Sequence, residues 1–349
     1  MALEDKLYEK QAKALAELRG LRKPEVKDVF VRVAYLGPED FAVEGYKRTR
    51  PCVAFNPGAH LEDKDLLVFP RFIFDYYKYV SSVGLARIDI ENLLSGNLDT
   101  PVKSRIILWP QTIWEFLGCE DPRAFMCNGT YYILYTGKGY YREGREYIRR
   151  DVLGLATFDP LWRLKSRGYF SITDGSETFV PKSNKDSAFL EMKGGECTML
   201  TRPEIKGDRI CWRARANVDE LKIYAKDLEP VLVFEEWELK VGWSTNAVKL
   251  SSNEYLVGWH GVVLEDYSYR DGLAIVNGEG ELLAVTDYLL APNGIAEEYG
   301  DRPLVIFGDG LAVYKEYVLW IGGISDYAIG VFAAELNKVM EHMKWVSKV

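Results

Sequence analysis

The sequence predicts an all-β fold, a five-bladed β-propeller with short N- and C-terminal helices, and three observations carry that expectation. Between residues 23 and 335 helical periodicity is hard to find, while short β-branched and aromatic runs alternate with Gly, Asp, Asn and Pro turns. Apolar runs ending on a polar or glycine-marked exit recur at intervals of roughly 60 residues, the mark of a repeat architecture. They are LLVFPR (66–71), YYILYTG (131–137), CTMLTRP (197–203), YLVGWHG (255–261) and VLWIGG (318–323). Each interval has room for about four short strands, which suits a radial blade; a pair of packed β-sandwich sheets is the competing arrangement.

Taken in order, the first twenty residues place Leu3, Leu7, Leu15 and Leu18 among Lys and Glu, a helical period that ends near Gly20. Residues 1–22 are therefore read as a helical extension that caps the propeller or joins copies of the chain into a homo-oligomer. Residues 23–335 are expected to form the propeller domain. The last twenty residues, GVFAAELNKVMEHMKWVSKV, again look helical, and 336–349 are assigned to a C-terminal helix packed on the propeller.

Composition removes several function classes. With 48% apolar and 28% charged residues the chain is an ordinary globular protein, not a disordered one. A net charge of −8 argues against a general nucleic-acid or anionic-membrane binder. Five cysteines, an odd number without a CxxC pair, and three histidines give little basis for a metal cluster, so no metal and no cofactor are expected. The cysteines read as reduced core residues, the start is too charged for a signal peptide, and no run of about 18 apolar residues occurs, which together point to the cytoplasm. The 22 tyrosines and 9 tryptophans suit a sugar-binding cleft, and packed β-cores even more.

The polar residues at the strand exits carry the chemistry. GCEDPRAF sets Glu120 and Asp121 at a corner fixed by Pro122 and followed by Arg123. Asn56 and Arg71 belong to the first unit, Lys185 and Arg202 to the third, His260 and Tyr269 to the fourth, and Asp326 to the fifth. Singly each reads as a turn residue, a solvated cation or a satisfied core group. Together, one carboxylic acid facing several cations and a histidine is what phosphate-assisted glycosidic cleavage needs. The acid protonates the departing oxygen, and the cations hold the phosphate that attacks the anomeric carbon.

Over roughly residues 50 to 335 the chain resembles glycoside hydrolase family 130, the inverting β-mannoside phosphorylases and related hydrolases. The resemblance rests on FNPGA (55–59), GCEDPRAF with YYILYTG, SNKDSAFL with CTMLTRP, YLVGWHG with YRDG, and GDRPLVIFGDG with GGISDYAIGVF. It implies a five-bladed propeller and phosphorolysis of a β-mannoside to α-mannose 1-phosphate, with inorganic phosphate as co-substrate. Asp121 would be the general acid, acting through a hydroxyl of the bound mannosyl unit. Asn56, Arg71, Arg123 and Asp326 would line the sugar site, and Lys185, Arg202, His260 and Tyr269 would hold phosphate. The chain departs from the family pattern at Thr201, where histidine is usual, at STNAVKL (244–250) and at Pro70–Arg71. The alternative on the same fold is an inverting hydrolase, which needs a second carboxylate roughly 6.5–9.5 Å from the first. Glu120, Asp186, Glu265 and Asp266 are its candidates. A propeller that binds sugars or proteins without catalysis is a third reading.

Overall fold

Hairpins dominate because short apolar runs are broken by turns that fold each strand back on its predecessor. The computed structural model describes residues 2–346. Its strands form five consecutive antiparallel units within four hydrogen-bonded sheets. The first unit comprises Val53–Glu62, Asp65–Ile73, Ser81–Asp89 and Val102–Leu108, edged in parallel by Phe41–Glu44. The second comprises Gly118–Cys127, Thr130–Glu143, Glu146–Phe158 and Leu164–Tyr169. One parallel bridge, Ser81 to Gly118, merges these two into a nine-stranded sheet. The third is built on Asn184–Lys193, Glu196–Ile205 and Cys211–Asn217. The fourth contains Glu238–Trp243, Glu254–Val263, Tyr269–Val276 and Leu282–Val285. The fifth contains Ile306–Tyr314, Tyr317–Ile324 and Ala328–Glu335, and Val31–Leu36 completes it from the other end of the chain.

The leading strands of the units gather side by side. Val53–Glu62 packs against both Gly118–Cys127 and Ile306–Tyr314, and Asn184–Lys193 packs against Gly118–Cys127 and Glu238–Trp243. Apolar side chains fill the spaces between neighbouring units, with Trp212, Trp243, Trp259 and Trp320 fully buried. Most of the aromatic wealth of the sequence is spent in this way.

The N-terminal helix spans Leu3–Glu17 and has no side-chain cap, so its stability comes from packing. Leu3, Leu7 and Ala14 are buried against Ile205, Ile210 and Trp212 of the third unit. The apolar stripe of the helix is thus consumed within its own chain. Just beyond it, buried Arg22 donates to Glu238 Oε2 at 2.7 Å and to the Val233 carbonyl at 2.7 Å, with its guanidinium 4.4 Å from the Trp259 ring. The C-terminal end differs from expectation. Residues up to Glu335 are strand, the helix covers only Leu336–Glu341, and Lys344–Trp345 pairs with Leu282–Val285. GVFAAE is buried on both faces, so its unbroken apolar run gave no alternation to separate strand from helix. Residues 347–349 of the expected helix lie outside the described residues.

Candidate active site

All five leading strands carry a register shift near an end, at Phe55/Gly58, Glu120/Arg123, Lys185/Ala188, Glu238/Lys240 and Gly308/Gly310. A bulge of this kind re-aims a side chain that would otherwise join the ladder. The residues re-aimed are Asn56, Asp121 and Asp186, with φ of 40°, 52° and 53°, and Asp309. Asn and Asp tolerate this left-handed region better than other side-bearing residues, which is why those types stand there. Asn56 and Asp121 are 65 residues apart, and Asp121 and Asp186 are separated by the same interval.

These strand ends converge on a cavity of about 300 Å³, within the usual range for small-ligand sites. Asn56, Arg71, Asp121, Lys185, Arg202, His260, Tyr269 and Asp326, named from the sequence, all line it. A larger groove of about 780 Å³, walled by Tyr46, Phe74, Tyr77 and Trp109, is mostly apolar, with Glu44, Asp75, Lys78 and Arg105 as its charged residues. The smaller cavity is the one that gathers the candidate residues.

Asp121 Oδ1 accepts from Asn56 Nδ2 at 3.0 Å and from Arg71 Nη1 at 2.9 Å, and among the described residues no donor reaches Oδ2. Burial pushes its pKa up, but Arg71, Lys185, Arg123 and the Asn56 hydrogen bond outweigh burial and hold it below the usual carboxylate range. Arg71 also donates to Ser81 Oγ at 2.8 Å and to Glu120 Oε1 at 2.8 Å, and Glu120 takes Lys138 at 3.0 Å. Glu120 is accordingly a structural counter-ion. Lys185 Nζ lies 3.1 Å from Asp151 and 4.0 Å from Glu120. Burial opposes its charge, yet Asp151, Glu120 and Asp121 together raise its pKa, so it remains an ammonium beside the acid.

Arg123 corrects one expectation. It does not line the cavity as a sugar-site residue but lies behind it. It donates to the Asp121 carbonyl at 2.8 Å, the Ser244 carbonyl at 2.7 Å and Asp186 Oδ1 at 3.2 Å. Its Nη2 also lies 2.7 Å from Asp309 Oδ1, without hydrogen-bond alignment. Burial, with Asp121 and Asp186 adding to it and Arg123 opposing, pushes Asp309 well above the ordinary carboxylate range. Asp326 is also raised, to about 6, by burial first and then by Asp121 and Glu120 against Arg71 and Arg302.

Cationic and basic side chains also line the cavity. One Arg202 Nη pairs with Asp186, while its Nε and Nη1 are buried without a hydrogen-bond partner. His260 Nδ1 meets Ser244 Oγ at 2.9 Å, and its Nε2 is unpartnered. Burial, Arg202, Lys240 and Arg123 hold His260 well below its ordinary pKa in spite of Asp186, so the ring is neutral. If the Ser244 hydroxyl donates to Nδ1, the ring proton sits on Nε2, 4.0 Å from Asp186 Oδ2. Gly242 makes room here, since a Cβ at that position would come within 2.6 Å of the His260 ring and 2.8 Å of Arg202.

A family model described as β-1,4-mannooligosaccharide phosphorylase, of glycoside hydrolase family 130, matches residues 20–345. The chain belongs to glycoside hydrolase family 130. Two relatives from Thermoanaerobacter sp. (strain X514) are each 28% identical to it. A 1,2-β-oligomannan phosphorylase matches over 76% of this chain and 82% of its own. A β-1,2-mannobiose phosphorylase matches over 75% and 80%. Among solved structures, β-1,2-mannobiose phosphorylase from Listeria innocua superposes with a TM-score of 0.66 at 17% identity, covering 88% of this chain and 96% of that one. A family 130 structure from work on hydrolases that target β-1,2 mannosidic linkages in Candida mannan gives a TM-score of 0.66 at 16% identity over 90% and 97%.

For this family 130 member, sequence reasoning missed several residues that line the cavity: Tyr79, Lys138, Asp151, Lys240 and Arg302. Lys240 sits in ELKVGW, indistinguishable from a solvated strand lysine, and nothing local announces that it faces Arg202. The 65-residue interval was the signal available for Asp186. Thr201 does not take over the role of a histidine: its hydroxyl donates to Asn184 Oδ1 at 2.9 Å and accepts from Ser187 Oγ at 2.9 Å, fully buried.

Proposed function

We propose that the protein is an inverting phosphorylase that moves a β-linked mannosyl unit from a manno-oligosaccharide to inorganic phosphate. The products are α-mannose 1-phosphate and a shortened acceptor. The observation that carries this reading is that one small cavity is lined both by Asp121, whose Oδ2 takes no donor among the described residues, and by Arg202 and His260, which keep the unpartnered nitrogens Nε, Nη1 and Nε2. The names of the relatives point the same way. We further read residues 23–335 as a five-bladed propeller. Support comes from the five antiparallel units and from the contact of the last unit's leading strand with the first. Five cysteines without a disulfide support a reducing compartment, the cytoplasm.

In the reaction, a phosphate oxygen held among the cationic side chains attacks the anomeric carbon as the bond to the glycosidic oxygen breaks. That oxygen receives the proton supplied by Asp121, directly or through a sugar hydroxyl. Inversion follows from a single displacement without a covalent intermediate. Beside Arg71, Lys185 and Arg123 alone, Asp121 is ionised. A phosphate dianion beside Lys185 and Arg202 offsets the cations that depress its pKa, so phosphate arrival itself favours the protonated acid. Asn56 and Arg71 fix the carboxyl, and Asp326 is placed to accept from a sugar hydroxyl.

The hydrolytic alternative lacks a free second carboxylate among the expected candidates. Glu120 is bound by Arg71 and Lys138, Asp186 by Arg123 and Arg202, and Glu265 and Asp266 lie in an exposed turn outside the cavity lining. The deciding experiment incubates the protein with β-1,2- and β-1,4-mannobiose, with and without phosphate. Turnover confined to the phosphate arm supports the proposal, and equal release of mannose in both arms would sink it.

A further inference from the structure

We infer that Arg22 is a positioning residue for the reaction: through Glu238 it holds the strand bulge that turns Lys240 onto the cavity face of the fourth unit. The inference rests on the reading of this cavity as the reacting site, and it gives the N-terminal segment a part in that site. Glu238 stands opposite Val263 and Lys240 opposite Val262, so Leu239 is an extra residue in the ladder, 49% exposed. Side chains two apart on an unbroken strand share a face, and one inserted residue separates them. Lys240 therefore falls on the face of His260 and Tyr269, donates to Tyr269 Oη at 2.7 Å and lines the cavity with both. Glu238 falls on the other face, where Gly261 leaves the space that its carboxylate and the Tyr288 hydroxyl occupy.

Arg22 keeps Glu238 on that face. The buried carboxylate accepts from Arg22 Nη1, from Arg22 Nη2 at 2.7 Å, from the Tyr288 hydroxyl and from the Glu235 N–H at 2.9 Å. Arg22 is locked in its turn. Its own N–H donates to Glu235 Oε1 at 3.1 Å, the Gly20 N–H to Glu235 Oε2 at 2.8 Å, and the Lys23 N–H to Asp287 Oδ1 at 2.6 Å. A buried ion pair adds little stability over a well-packed apolar pair, and its best-attested use is to fix a register. Here the register decides what reaches the cavity. Without Arg22, Glu238 is an uncompensated buried charge. Lys240 is the next cation along its strand, and the two meet on one face only if Leu239 rejoins the ladder and the bulge is lost. The following rung would suffer as well. Gly242 stands opposite His260, where a Cβ would come within 2.6 Å of the imidazole, and a one-residue slip brings Val241 there instead.

The test is a mutant cycle on the full chain, read by kcat/KM on the mannobiose that the wild type cleaves, with folding checked by melting curves. Arg22→Met should lower kcat/KM about tenfold or more, the loss of one charged hydrogen bond at Lys240. Lys240→Met should lower it as much, and Arg22→Met/Lys240→Met no further, because residues that act through one contact are not additive. Arg22→Met/Glu238→Gln should return to within about threefold of the wild type, since a neutral amide has no need of Lys240 and still accepts from Tyr288. A role for Arg22 in packing alone gives no such rescue. If Arg22→Met does not fold, Arg22→Lys runs the same cycle with a point charge in place of the two-pronged contact, and its fall should likewise vanish in the Lys240→Met background. Wild-type kinetics in folded Arg22→Met, falls that multiply with Lys240→Met, or no rescue by Glu238→Gln overturns the inference. Mannose release without phosphate overturns the phosphorolysis reading instead, and the same cycle run on that release still decides the role of Arg22.

Discussion

Replacing Asp121 by asparagine separates chemistry from folding. The side-chain amide of the variant would offer a carbonyl where Oδ1 now accepts from Asn56 at 3.0 Å and Arg71 at 2.9 Å, so both contacts survive, the first as a neutral bond and the second assisted by the guanidinium charge alone. Charged hydrogen bonds contribute about 1.5–3 kcal/mol and neutral ones about 0.5–1.5, which puts the loss at roughly 1–2 kcal/mol. A domain stable by about 5–15 kcal/mol tolerates that. Arg71 keeps Glu120, so no buried guanidinium is stranded. Because the Asp121 pKa is depressed, its carboxylate stabilises the fold above its unfolded pKa and less so as pH falls. The stability gap between wild type and variant should therefore narrow below about pH 4. Catalysis is another matter. Loss of a positioned proton donor costs about 10²–10⁴ in rate, roughly 3–5 kcal/mol of barrier. Initial rates of phosphorolysis, and of the reverse reaction from α-mannose 1-phosphate, should fall together while the melting curve shifts by a few degrees. A folded Asp121→Asn protein within tenfold of wild-type turnover would refute the assignment of the acid.

Asp186→Asn is expected to cost about 3–5 kcal/mol, because it leaves Arg123 and Arg202 facing one another in a buried site without their shared anion. Denaturant melts should register the loss, and the phosphate KM should rise more than the mannoside KM. Asp326, with a pKa raised to about 6, gives a rising mannoside KM as pH drops below about 6 and the acceptor is protonated. The same raised pKa means that stability falls by roughly 3 kcal/mol as pH climbs from about 4 to 6 and beyond. Asp326→Asn should flatten that slope in pH-dependent melts. Leu7→Ala in the N-terminal helix removes a side chain 1% exposed against the third unit. It should cost about 2–5 kcal/mol in a chemical melt and leave kcat/KM of the folded protein unchanged.

The site was legible in the sequence where chemistry and backbone demand coincide. Asn56 and Asp121 stand at bulges that need a left-handed residue, so each shows as a polar residue next to a proline in an apolar strand. Asp186 obeys the same rule at the same interval, but its neighbour is Ser187, and without the proline the repeat is easy to pass over. Arg123 was read as facing the sugar because its position beside Asp121 says nothing about depth. Only folding shows it stapling the Asp121 and Ser244 carbonyls from behind. Lys240 and Arg302 come from the fourth unit and from the segment entering the fifth, and their meeting at Tyr269 is a matter of tertiary geometry alone. In the fold, units bounded by turns were recognisable. GVFAAE was not, because a strand buried on both faces has lost the alternation that would identify it.

The central claim is that phosphate, not water, is the nucleophile, delivered opposite Asp121. Proton and phosphorus NMR of a reaction containing a β-linked manno-oligosaccharide and inorganic phosphate measures this directly. The account predicts one α-configured mannose 1-phosphate for each linkage cleaved and each phosphate consumed, from the first turnover. Free mannose accumulating with phosphate unconsumed, or a β-configured sugar phosphate, would contradict it.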